Sequence, residues 1–156
     1  MEETYRVRVY EKLIRCPHAQ VGTMDQRIHA SYKNILEQFL DDPRTTGMRD
    51  AYYPQLHMAV LVKRGKVIAS ATNRFGTRSS GAGYCEASIH AERNVIKELG
   101  DISLLRGADM MIMRFSKNPA LDGFERFRNS KPCCQCQPFL EKCMREYGLR
   151  NVYYTA

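Results

Sequence analysis

Apolar and polar positions change period several times along the chain, and each change marks an element. Tyr5, Val7 and Val9 alternate with Arg6 and Arg8, a period of two that predicts a short strand. Over 25–41 the period lengthens to that of a helix, with Ile28, Tyr32, Ile35 and Phe39 on one face. The polar stretch DDPRTTGMRDAYYPQ carries Pro43 and Gly47 and reads as a loop. HMAVLVKRGKVIASATN supplies two runs rich in Val, Ile and Ala, joined through 63–66 with Gly65 at the turn, which predicts a β-hairpin. After a second loop, RFGTRSSGAGYCEA, Ser88 is the expected N-cap of a helix over 89–99 that Gly100 closes. Residues 108–115 read as another strand. A further helix is expected to open at Pro132, capped by Ser130 or Lys131, and to stop after Tyr147 at Gly148; 151–155 is a last strand, β-branched and aromatic.

Strands alternating with helices predict an α/β fold of three layers, a sheet covered by helices on both faces. No repeat, low-complexity tract or linker interrupts the pattern, and 156 residues suit one domain. The expected division is a single unit over 1–156, with 1–55 as an N-terminal strand and helix extension and 56–156 as the core.

Composition narrows the class. Hydrophobic residues at 44% and charged residues at 26% exclude disorder, collagen and a coiled coil. The longest apolar runs, 58–62 and 67–71, fall far below the ~20 residues of a membrane helix. The charged start MEETYRVRVYEK lacks the apolar stretch of a secretory signal, so an intracellular, cytoplasmic protein is expected. Lys and Arg number 24 against 17 Asp and Glu, a net charge of +7. That surplus favours an anionic partner, a nucleotide or a nucleic acid, and serves solubility equally well. Of six cysteines, Cys133, Cys134 and Cys136 crowd together, which suggests metal chemistry rather than a disulfide framework.

The informative residues are His90-Ala91-Glu92 and Pro132-Cys133-Cys134-Gln135-Cys136. On a helix, positions three apart share a face, so Cys133 and Cys136 can reach one ion and Cys134 cannot; Cys134 is expected to be a small packed residue. With His90 as third ligand the set is Cys2His, which suits zinc and leaves one tetrahedral position for water. Two thiolates and a neutral imidazole cancel the ion's charge, and both segments sit near helix N-termini, whose partial positive charge favours thiolate. In mid-helix Glu92 would point about 200° away from His90, but in a first turn both can face the ion, with Glu92 as a proton shuttle rather than a ligand.

H-A-E followed by P-C-x-x-C resembles the zinc-dependent cytidine and deoxycytidylate deaminase superfamily, which also contains tRNA adenosine deaminases and single-stranded DNA cytosine deaminases. The resemblance covers roughly residues 56–156. It implies the cytidine deaminase-like α/β/α fold with a central mixed sheet, one Zn2+ held by His90, Cys133 and Cys136, and Glu92 moving protons as water replaces the exocyclic amine at C4 of cytosine or C6 of adenine. It implies further that Asn73 contacts the substrate sugar, although a plain turn residue fits that position equally, and that the Ala91 backbone reads the base edge. Two departures stand out. The interval between His90 and Cys133 is longer than in many members, the excess falling over 116–129, and the chain stops where the family continues with a helix and often a strand. A truncated chain, or an edge completed by another copy in a homo-oligomer or by the N-terminal strand, could explain that.

S-K-P-C and GLRNVYYT look more like the deoxycytidylate branch, so the expected substrate is cytosine in a free nucleotide or nucleoside. The alternative is cytosine or adenine in single-stranded DNA or RNA, tRNA included. Arg114, Lys117, Arg126, Arg128 and Lys131, interleaved with Phe115, Phe124 and Phe127, could hold phosphate and stack bases. The duller account, which we favour, has these phenylalanines pinning a long loop while the charges stay solvated. Arg74 and Arg78 could meet a 5′ phosphate or be surface charge. A zinc-stabilised binding module without turnover is disfavoured, because Glu92 has no task at a closed zinc site. Cys16 and His18 lack a second half for another zinc site; His29 and His57 are expected to be packing or capping residues, and Cys85 and Cys143 buried thiols.

Overall fold

A computed structural model describes residues 7–9, 26–46, 56–75, 84–85, 88–118, 120–121 and 123–155. Its centre is the hairpin of β2 (Leu56–Lys63) and β3 (Lys66–Thr72), antiparallel from Met58↔Thr72 to Lys63↔Lys66. Arg64 and Gly65 close it with φ of 51° and 74°, the pair of positive values that a two-residue turn needs to follow the strand twist. β7 (Asp109–Phe115) lies antiparallel on the other side of β2, and β9 (Asn151–Thr155) runs parallel to β7. β1 (Val7–Val9) pairs antiparallel with β9, so the N-terminal strand completes the edge left by the last strand. The sheet is mixed, in the order β1-β9-β7-β2-β3, and β8 (Phe127–Arg128) pairs with the end of β7.

Helices cover both faces, and the sequence shows why. Along β2, Ala59 and Leu61 point to one face and Met58, Val60 and Val62 to the other, all buried. The first face packs on α3 (Ala91–Leu99) and α4 (Cys136–Tyr147) through Val95, Phe139, Leu140 and Cys143. The second packs on α1 (Gln26–Leu40) through Ile35, Leu36, Phe39 and Leu40. A strand buried on both faces needs a continuous apolar run rather than alternation, and LHMAVLV is one. Among the described residues no helix is long and apolar enough to cross a membrane.

Topology sets the position of the site. β3 and β7 are each antiparallel to β2, so they run parallel to each other, and a helix follows each: α3 after β3, α4 after β7. Both helix N-termini therefore lie at one edge of the sheet, beside the carboxyl ends of β3 and β7 and the start of β2, where open α/β sheets bind ligands.

Two expected helix starts are corrected. α3 begins at Ala91 with His90 in the N-cap position, because Ser88–Ile89 pair as β6 with β4 (Arg74–Phe75) and β5 (Tyr84–Cys85) in a small second sheet, and Ser88 is thus not the cap. α4 begins at Cys136, not at Pro132. Ser130 caps nothing: buried, it donates from its hydroxyl to the Ile112 carbonyl at 2.7 Å and accepts the Thr155 N–H at 2.8 Å, which ties the approach to Cys133 onto β7 and β9.

The long insertion folds back on the body. Phe127 is buried and packs against Phe115 with ring centroids 5.2 Å apart and the rings tilted by 45°, as the duller account expects of these two rings. Arg126 is not solvated. It is 3% exposed and donates to the carbonyls of Leu40 at 2.8 Å and Thr45 at 3.5 Å, closing the end of α1 and of α2 (Pro43–Thr46). Arg126→Ala is expected to lower unfolding free energy by about 2–4 kcal/mol, since two buried carbonyls lose a charged donor. Urea denaturation checks this, and a loss below about 1 kcal/mol would contradict it.

Candidate metal centre

His90 enters α3 with extended backbone, φ −67° and ψ 152°, and its carbonyl accepts the Asn94 N–H at 2.9 Å. Asn94 in turn donates its side-chain amide to the Thr72 carbonyl at 2.9 Å, which fixes the start of α3 to the end of β3. Cys133 lies in the turn before α4, where its carbonyl accepts the N–H groups of Cys136 at 3.1 Å and Gln137 at 3.0 Å. Gln137 also donates its amide to the Pro132 carbonyl at 2.9 Å, bracing the turn. The guanidinium of Arg93 sits 4.3 Å from the centre of the Phe139 ring and ties α3 to α4.

These constraints bring His90, Cys133 and Cys136 together, their donor atoms all within 4.8 Å of one another. His90 Nδ1 lies 3.2 Å from Cys136 Sγ and 3.5 Å from Cys133 Sγ. Zinc bonds of about 2.0–2.1 Å to nitrogen and 2.3 Å to sulfur, at a tetrahedral angle, set an N···S edge of about 3.6 Å. One imidazole and two thiols at this spacing fit zinc or another ion that accepts sulfur. The Cys136 thiol and the His90 ring, both hydrogen bonded to its sulfur, bring the Cys133 thiol down to about 3, so it enters the site as thiolate.

Of the two remaining clustered residues, Cys134 corrects an expectation: it is exposed rather than packed, as suits a position one residue from Cys133 in a tight turn outside the helix. Glu92 lies in the first turn of α3. It is 5% exposed, and burial raises its carboxyl above the usual range. Its carboxyl group reaches the Cys136 thiol by a hydrogen bond, yet it stands outside the three-donor group.

A cleft of about 340 Å³ opens over the centre, a size usual for small-molecule sites. His90, Ala91, Glu92, Cys133 and Asn73 line it, while Cys136 is buried against His90. Asn73 follows β3 and is locked to β2: its side-chain oxygen accepts the His57 N–H at 3.0 Å, and its own N–H donates to the His57 carbonyl at 3.2 Å.

His57, expected as a packing or capping residue, also lines the cleft. It enters β2 two residues before Ala59, on the face that carries α3 and α4, directly across from Arg114 of β7. Burial, helped by the Arg114 charge, lowers its pKa to about 4, so it is neutral at pH 7. Arg114 and Lys131 complete the wall. The parity of His57 with Ala59 and Leu61 was a usable signal for its face. Cys143 is buried as expected, and burial pushes its thiol up to about 11. Cys16, His18, Arg78 and the side chains of His29, Cys85 and Phe124 lie outside the described residues.

Comparison with protein-family models, with curated proteins and with solved structures finds no match to this chain.

Proposed function

We propose that this chain is a zinc-dependent deaminase of the cytidine and deoxycytidylate type, which hydrolyses the exocyclic amine of cytosine in a free nucleotide or nucleoside. The observation that carries the proposal is the buried Glu92 carboxyl, in the same cleft as His90 and Cys133 and hydrogen bonded to Cys136, yet not one of the three metal donors. A structural zinc site uses four protein ligands and has no use for such a carboxyl. Bound here, zinc would supply Lewis acidity toward a water molecule near neutral pH.

The residues of the chain divide the remaining work. Glu92, protonatable because it is buried, takes a proton from water and delivers protons to the departing nitrogen, so that a C–O bond forms, the C–N bond breaks and ammonia leaves. Asn73, held from both sides by the His57 backbone, presents a fixed amide to the sugar. Ala91, fully buried in the first turn of α3, leaves room for the base against the helix end. The burial of Phe115 and Phe127 removes two of the three rings on which a strand of bases could stack, which favours the free nucleotide over a polynucleotide.

Ammonia release from deoxycytidylate, cytidine, adenosine, single-stranded DNA and RNA tests this. Release is expected from the cytosine mononucleotide or nucleoside and not from adenosine. Absence of release from every pyrimidine substrate by zinc-loaded protein would overturn the proposal.

A further inference from the structure

Two cationic side chains, Arg114 and Lys131, line the cleft together with His90 and Cys133, and the proposed chemistry does not use them. Arg114 closes β7 on the face shared with α3 and α4. It is half-buried, and its guanidinium has no hydrogen-bond or ion-pair partner among the described residues. Its nitrogens are not sealed from solvent, so they can exchange water for the acceptors of a ligand in the cleft. Lys131 lines the same cleft, and His57 lies directly across the ladder from Arg114. Among the described residues that line the cleft only Glu92 is acidic, and it is hydrogen bonded to the Cys136 thiol. The rigidity of the wall is built in: Arg114 lies in paired strand between His57 of β2 and Arg128 of β8, and Asn129 accepts the Lys131 N–H through its side chain at 2.9 Å.

We infer that Arg114 seats the phosphate monoester of the substrate, so that the cleft selects a mononucleotide over the corresponding nucleoside. The inference rests on the deaminase proposal for the identity of the base, and on the geometry of the cleft for the anion. Guanidinium is suited to the task because its planar fork donates two parallel hydrogen bonds to phosphate oxygens. Lys131 adds a second positive charge at the mouth.

Binding can be measured without turnover by using the product pair, uridine monophosphate and uridine, with zinc-loaded protein in a calorimeter, alongside inorganic phosphate and a short oligo-deoxycytidylate. One charge-assisted contact predicts that the nucleotide binds at least tenfold tighter than the nucleoside. Arg114→Ala should bring that ratio to within about twofold at unchanged zinc content, Arg114→Lys should keep part of it, and Arg114→Gln serves if the alanine variant does not fold. Equal affinity of nucleotide and nucleoside in the wild type, or a ratio that survives in Arg114→Ala and Arg114→Gln, would overturn the inference. Tighter binding of the oligomer than of the monoester, with steep salt dependence, would overturn it in favour of a strand phosphate. If neither pyrimidine compound binds while inorganic phosphate binds in an Arg114-dependent manner, the anion seat stands and the deaminase proposal fails instead.

Discussion

Glu92→Gln is expected to lower deamination by a factor of about a thousand while zinc content stays at that of the wild type. The substitution keeps size and hydrogen-bonding shape and removes only the ability to take up and give back a proton. A positioned acid or base contributes typically 10²–10⁴-fold, and here one carboxyl serves both directions. Burial makes the role feasible, since it raises the carboxyl from the usual carboxylate range toward the pH at which a proton can be both accepted and returned. Because Glu92 stands outside the three-donor group, its loss leaves the metal in place. Activity within tenfold of the wild type would remove Glu92 from the chemistry, and loss of zinc together with activity would make it a ligand.

Replacement of any one of His90, Cys133 and Cys136 is expected to reduce zinc from one ion per chain to below about a tenth after dialysis against a chelator, whereas Cys134→Ser retains it. The contrast follows from position. Cys133 and Cys136 both approach His90 Nδ1, at 3.5 and 3.2 Å, while the exposed Cys134 is no member of the group. Two donors bind far less tightly than three. The same variants should lose the thermal stabilisation that zinc confers on the wild type, roughly 4 kcal/mol at free zinc a thousandfold above the dissociation constant. A Cys134→Ser protein that fails to hold zinc, or a Cys136→Ser protein that holds it fully, would move the centre.

Much of this was legible from the residues. Continuous apolar runs at 58–62 and 110–113 require burial on both faces, and the structure supplies it with α1 on one side and α3 and α4 on the other. The donors were legible because i, i+3 spacing survives whether Cys133 belongs to a helix or to the turn before it. Helix starts were not, because local cap preference lost to tertiary pairing: Ser88 joins a small sheet and Ser130 stitches β7 to β9. Arg126 could not be read from its polar surroundings, since its partners are carbonyls more than 80 residues away. The face of His57 could be read from the parity of β2, but not its neighbours, because only the order of the strands sets Arg114 beside it.

X-ray absorption at the zinc edge of the reconstituted protein tests the centre most directly. One imidazole nitrogen at about 2.0 Å, two sulfurs at about 2.3 Å and one further light atom are expected for His90, Cys133 and Cys136. Three or four sulfurs, or a protein that stays metal-free when zinc is supplied, would contradict the account.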